Sequence, residues 1–163
     1  MAELTTLEEK LAEVIGLAQA AQGATEKVGG LVEDDEIKQK LQQMRSEAEE
    51  TEERGTQVAD SHDGKKTAIL DKAQETKSEA TEMMQTYLGG EDADGLDGFE
   101  FMVMAEAGEV GHWRVLGKLN EKAGEDEISE LVDWALPIQE RHFSEANECA
   151  LTLAGEEDPY EES

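Results

Sequence analysis

Apolar residues return at helical spacing along almost the whole chain, and that regularity removes most of the folds open to 163 residues. Leu4, Leu7, Leu11, Val14, Ala18 and Ala21 make a first stripe, and Ile37, Leu41, Met44, Ala48 and Val58 a second. Ile69, Leu70, Ala73, Met83, Met84 and Leu88 make a third. Phe99, Met102, Val103, Val110, Trp113, Leu116 and Leu119 form a fourth, and Leu131, Trp134, Ala135, Ile138, Ala146, Cys149 and Leu153 a fifth. Nowhere do β-branched residues alternate with polar ones over strand length, and no solenoid period recurs. The chain is expected to be all-α, with one core.

Turn formers divide the stripes into helices. The first is expected over about Thr6 to Val28, opened by Thr5 or Thr6 three residues before Glu8 or Glu9, as in a capping box, and closed by Gly29 and Gly30. A second runs from Asp34 or Asp35 to about Ala59, with a thin apolar face and a charged centre, SEAEETEERG. DSHDGKK interrupts before a third helix from Lys66 to Leu88, and GGEDADG follows it. The fourth opens with Asp97 three residues before Glu100 and stops at Gly124. The fifth extends from about Asp126 to Ala154 and contains Pro137, whose missing donor and steric clash predict a kink rather than a break. Residues 1–155 thus read as two long helical hairpins joined by a mostly helical connection, and 156–163 as a solvated acidic tail.

Charge narrows the partners. Forty-one acidic residues against 14 basic ones leave a formal charge of −27, which opposes direct nucleic-acid binding and attraction to an anionic bilayer. The same charge suits metal cations or a basic protein partner. Cys149, the only cysteine, excludes an internal disulfide and lies on an apolar stripe, so a quiet core thiol is expected. With neither a basic leader nor an apolar run of membrane length, the expected location is the cytoplasm.

The chemistry lies where titratable groups occupy positions that the stripes reserve for hydrophobes. In MVMAEAGEVGHWRVL, residues 102–116, Glu106, Glu109 and His112 recur every third residue. A turn near Ala123 and Gly124 sets Trp113 against Trp134, Glu106 near Arg141 and His142, and Glu109 near Ile138 and Gln139. His142 interrupts the fifth stripe in the same way. Burying a carboxylate without compensation costs several kcal/mol, so either an ion-pair network through Arg141, Arg114 or protonated His142, or a divalent metal, is expected there. Mixed carboxylate and imidazole donors suit iron or manganese, and zinc less specifically. Glu109-Val-Gly-His112 is a Glu-x-x-His, and His142-Phe-Ser-Glu145 its reverse. His112 reads as a ligand, a partner of a ligand or a half-exposed histidine. In the first hairpin, pairing about Gly30 brings Glu13 opposite Glu50 with Glu47 one turn away; pointed inward, they would complete a carboxylate cage. Glu8, between Leu4 and Leu11, is a further candidate, although surface charge is the expectation for all four.

Together these phrases, with DGKKTAIL, AEAGEVGHWRVL and AGEDEISELVDWALPIQERHFSEA, resemble the ferritin-like superfamily, in particular small bacterial stress-associated proteins of the YciF type. The resemblance implies an antiparallel four-helix bundle with a di-metal carboxylate centre, and a metal-dependent oxidoreductase or stress-protection role. Its pattern of one Glu from each of two helices and a Glu-x-x-His from each of the others is matched at Glu106, Glu109 and His142. The first hairpin departs from it, with Met44 and Glu47 where Glu-x-x-His is expected. A di-metal centre, a mononuclear site, a carboxylate-rich variant and a lost site therefore all stay open. The other reading is a non-catalytic acidic bundle acting as a homodimer or by docking to another protein. No phosphate-cradling loop and no nucleophile, base and orienter set points to hydrolase, transferase or nucleotide chemistry.

Overall fold

A computed structural model describes residues 2–162; Met1 and Ser163, the last residue of the acidic tail, lie outside it. Five helices make up the described fold: α1 (Thr6–Gly29), α2 (Asp35–Asp60), α3 (Lys66–Leu88), α4 (Gly95–Ala123) and α5 (Asp126–Glu156). Thr5 caps α1 in a reciprocal box: its hydroxyl accepts the Glu8 N–H at 3.2 Å, and the Glu8 carboxylate accepts the Thr5 N–H at 2.8 Å. Asp34 caps α2 through the N–H groups of Glu36 and Ile37. Helix α4 begins two residues before the expected start, because Asp94 is the cap and Asp97 is the partner three residues inside the box. Gly124 closes α4 at φ +67°, a left-handed conformation that suits a residue without Cβ. Helix α5 continues through Pro137 without a break.

Side-chain pairs fix the directions of packing. Arg45 meets Glu26, and Gln19 meets Glu52, so α1 and α2 run antiparallel. Arg114 meets Glu140, and Asn120 donates to Ser129, so α4 and α5 do the same. Helix α3 lies along α1, touching α2 and α4 only lightly. Close approach to α1 depends on missing side chains: a Cβ on Gly16 would overlap the Ala73 carbonyl oxygen of α3, and one on Gly55 would come within 2.7 Å of Ile15. The molecule is an all-α helical bundle in which α1 touches α2, α3 and α4.

The apolar interior falls into two clusters. Leu11, Ile15, Ile69, Trp113, Leu116 and Ile128 anchor one; Val28, Leu41, Met44, Leu88, Phe99 and Met102 anchor the other. On α4 the first cluster begins at Trp113 and the second ends at Met102; on α5 they stop at Ala135 and resume at Ala146. Between them lies a buried polar layer of Glu106, Glu109, Gln139 and His142. Trp134 packs on the edge of the first cluster, which contains Trp113, and the Arg54 guanidinium lies 4.1 Å from its ring centre. Cys149 is buried, and that burial pushes its thiol up. Among the described residues no helix is long and apolar enough to cross a membrane.

Candidate metal centre

The layer between the two clusters is the densest set of buried titratable groups in the bundle. Helix α4 contributes Glu106 and Glu109, 2% and 4% exposed, and α5 contributes Gln139 and His142, 1% and 2% exposed. Their sequence spacing explains the convergence, since residues three apart share a helix face, and α4 and α5 face each other across the Gly124 turn. His142 Nε2 lies 3.1 Å from Glu47 Oε1 on α2, and His142 Nδ1 lies 3.9 Å from Glu106 Oε2 on α4. One imidazole therefore bridges the two hairpins.

Of this layer only His142 is paired, through Glu47 at its edge. Arg141 bonds to the other oxygen of Glu47 and lies 3.6 Å from Glu145 Oε1, acting as a fixed positive charge between two carboxylates. Burial raises the Glu47 pKa, but hydrogen bonds from Arg141 and His142 outweigh it and hold the carboxyl below its ordinary range. Burial lowers the His142 pKa, and the Glu47 carboxylate only partly offsets this. Deeper in, Glu106 Oε2, Glu109 Oε2 and both amide atoms of Gln139 have no hydrogen-bond partner, and neither has Glu145 Oε2. Burial drives the Glu106 carboxyl up to about 8. Burial and the Glu106 carboxyl push Glu109 well up too. Groups in that condition either hold a proton or need a cation.

The remaining expected donors divide. Glu47 and Glu145 reach the edge of the layer, with side chains 18% and 19% exposed. His112 does not join it. Its side chain is half exposed, with Nδ1 2.8 Å from the Gly108 carbonyl oxygen and Nε2 3.6 Å from Glu13 Oε2, so the Glu109-x-x-His112 pair splits with only Glu109 inward. Glu13 is held by Lys10 at 2.9 Å, on the α4 side of α1 rather than opposite Glu50. Glu50 is on the surface, bonded to Arg54 at 2.8 Å. The cage that Glu13, Glu47 and Glu50 would complete if all pointed inward does not assemble, because α1 presents Ala18 and Ala21 to the interior.

Glu8, expected at the surface, is buried at the far end of the bundle, where His62 Nδ1 approaches its Oε1 at 3.2 Å and Lys65 its Oε2 at 3.7 Å. The sequence placed Gln139 near Glu109 but gave it no part in the site, because Ile138 suits an apolar stripe better. Counting four residues on from Ala135 leads to Gln139, and Ile138 is only half-buried.

Among the described residues no three His, Cys, Asp or Glu side chains converge closely enough to hold one ion as they stand. The donor types nevertheless suit a hard or borderline divalent ion: carboxylate oxygens without partners, a buried imidazole and an amide oxygen, all in one layer. No protein-family model, curated protein or solved structure matches the chain.

Proposed function

We propose that this is a cytoplasmic metal-binding protein of ferritin-like architecture, with α1, α2, α4 and α5 as the bundle and α3 as the connection between hairpins. Its donors would be Glu106, Glu109 and His142, with Gln139 and Glu145 within reach, and the ion iron or manganese. The observation that carries the reading is the pair of unpartnered, buried carboxyl oxygens, on Glu106 and Glu109, beside His142. A bound redox-active ion would supply chemistry toward oxygen or peroxide in a stress-protection role; the protein's own part is to hold the donors and exclude water. A single ion is the form that the residues favour. The first hairpin offers only Glu47, and Arg141 already provides its positive charge.

Metal titration tests this. Chelator-stripped protein given Mn²⁺ or Fe²⁺ should gain thermal stability by mass action, and Glu106→Gln and His142→Ala should each remove the gain. If both variants take up either ion as the parent does, the assignment is wrong.

A second reading is a non-catalytic bundle acting as a homodimer or by docking to a basic protein, with its polar layer neutralised by protons and by Arg141. It is favoured by the lack of three converging donors among the described residues. Protein purified from iron- and manganese-rich medium without either ion, and not stabilised by them, would support it.

A further inference from the structure

A cleft opens between α1, α3 and α4, with a volume of about 270 Å³. It exists because α3 leans closely on α1 at Gly16 and packs only lightly on α4, whose Gly108 presents no side chain to the opening. Its walls are aliphatic and sulfur-bearing: Leu17, Ala20 and Ala24 on α1, Ala80 and Met83 on α3, Met104 on α4. Met83 and Met104 are 52% and 40% exposed, large apolar side chains that the fold leaves partly uncovered. Glu106 and Glu109 also line the cleft, and each keeps a buried oxygen without a hydrogen-bond partner. Thr76, Glu79, Thr81 and His112 complete its polar lining, with Glu13 beside His112, and among the described residues no Lys or Arg lines the cavity.

An apolar trough with unpartnered carboxyl oxygens and no cationic wall has defined complementarity. We propose that it binds an amphipathic organic cation, a primary aliphatic amine of medium chain length, whose ammonium donates to Glu106 and Glu109 while its alkyl chain lies against Ala20, Ala24, Ala80, Met83 and Met104. A compact ammonium with three donors can satisfy both orphaned oxygens. The chain adds burial of methylenes and methionine side chains. The cavity is at the small end for ligand sites, which fits one unbranched chain and excludes bulky ring systems. The inference does not rest on metal binding; an ion and an ammonium would contend for the same two oxygens.

Calorimetric titration of the chelator-stripped full chain with n-octylammonium, beside n-octanol and tetramethylammonium, tests the proposal. Octylammonium should bind at least roughly tenfold more tightly than either control, since only it uses both walls and base. Glu106→Gln should weaken it by on the order of tenfold, the scale of one charge-assisted contact. Gly108→Leu projects a side chain into open space, where an added Cβ meets nothing within 4 Å, and it raises helix propensity, so the fold should hold. That variant should lose octylammonium while keeping any Mn²⁺ response, whereas Glu106→Gln should lose the Mn²⁺ response and retain octylammonium only at the weakened affinity. Octanol binding as tightly as octylammonium, an undiminished affinity in Gly108→Leu, or no amine binding would each overturn the proposal. The metal reading stands or falls separately, on the Mn²⁺ titration.

Discussion

Two buried glutamates at different levels of the bundle have opposite fates. Glu8 lies under α1's first turn, where burial raises its pKa, but the Thr5 N–H, His62, Lys65 and the Thr5 hydroxyl together bring the carboxyl below its ordinary range. Its partner His62 also approaches Glu125 within 2.9 Å, so one imidazole ties the start of α1, the α2–α3 turn and the α4–α5 turn. Glu106 lies at mid-height with no such company; only burial acts on it, and it rises to about 8. The difference teaches that burial does not by itself decide a carboxyl's charge. The number of donors aimed at it does. A helix end offers backbone N–H groups without partners, whereas mid-helix backbone groups are already spent on the helix, so a mid-height carboxyl must find a side chain, a proton or a cation.

Removing the ionisation at mid-height should break this contrast most visibly. Below about pH 4.5 both Glu106 and the unfolded chain are protonated, so nothing is lost. Between there and pH 8 only the unfolded chain releases the proton, and metal-free stability falls as pH rises. Urea unfolding of parent and Glu106→Gln/Glu109→Gln should coincide near pH 4 and diverge by on the order of 4 kcal/mol in favour of the variant by pH 9. A flat difference across that range would mean that the carboxyls are already ionised inside.

The far end should behave in the opposite sense. Glu8→Ala removes a cap partner and the His62 contact together, costing about 2 kcal/mol and lowering Tm by roughly 4–8 °C at neutral pH. Because the Glu8 pKa is lowered on folding, its contribution is present above the ordinary carboxyl range and fades as pH falls through the folded value. The Glu8→Ala deficit should therefore shrink in acid, as differential scanning calorimetry at pH 7 and pH 3 would show. Arg141→Met sharpens the comparison within the layer itself, by turning Glu47 from a compensated carboxylate into one held by His142 alone. A loss of about 1 kcal/mol is expected, limited by the partial exposure of the guanidinium, together with a rise in the pKa of the Glu47 carboxyl measurable by NMR titration. Glu50→Ala should do least: it breaks only a surface pair with Arg54, and a change under about 0.5 kcal/mol in urea unfolding is expected.

Much of this was legible in the sequence, and the reasons differ by level. The expected Lys66–Leu88 helix matches α3, and those expected at Thr6, Asp34 or Asp35, and Asp126 differ from α1, α2 and α5 by two residues or fewer at either end. Stripes and caps are local, and local chemistry decides them. Glu106 and His142 meet as the short α4–α5 turn predicts, because such a turn leaves little choice of register. The first hairpin was harder to read. Glu13, Glu47, Glu50 and Glu8 look alike along the chain, yet one pairs with Lys10, one is drawn to Arg141 and His142, one stays in water and one is buried under a cap.

By itself the sequence determined that the chain is all-α, where its helices begin and end to within about two residues, and that α4 and α5 carry ionisable groups on apolar faces. Only the tertiary structure decided which of those groups find partners: Arg141 beside Glu47, no hydrogen bond to Glu106 Oε2 or Glu109 Oε2, and His112 turned outward. The physical reason is that helix periodicity fixes the face on which a side chain lies. Its neighbours on that face come from other helices, whose rotation and closeness depend on contacts such as Gly16 against Ala73, made far along the chain.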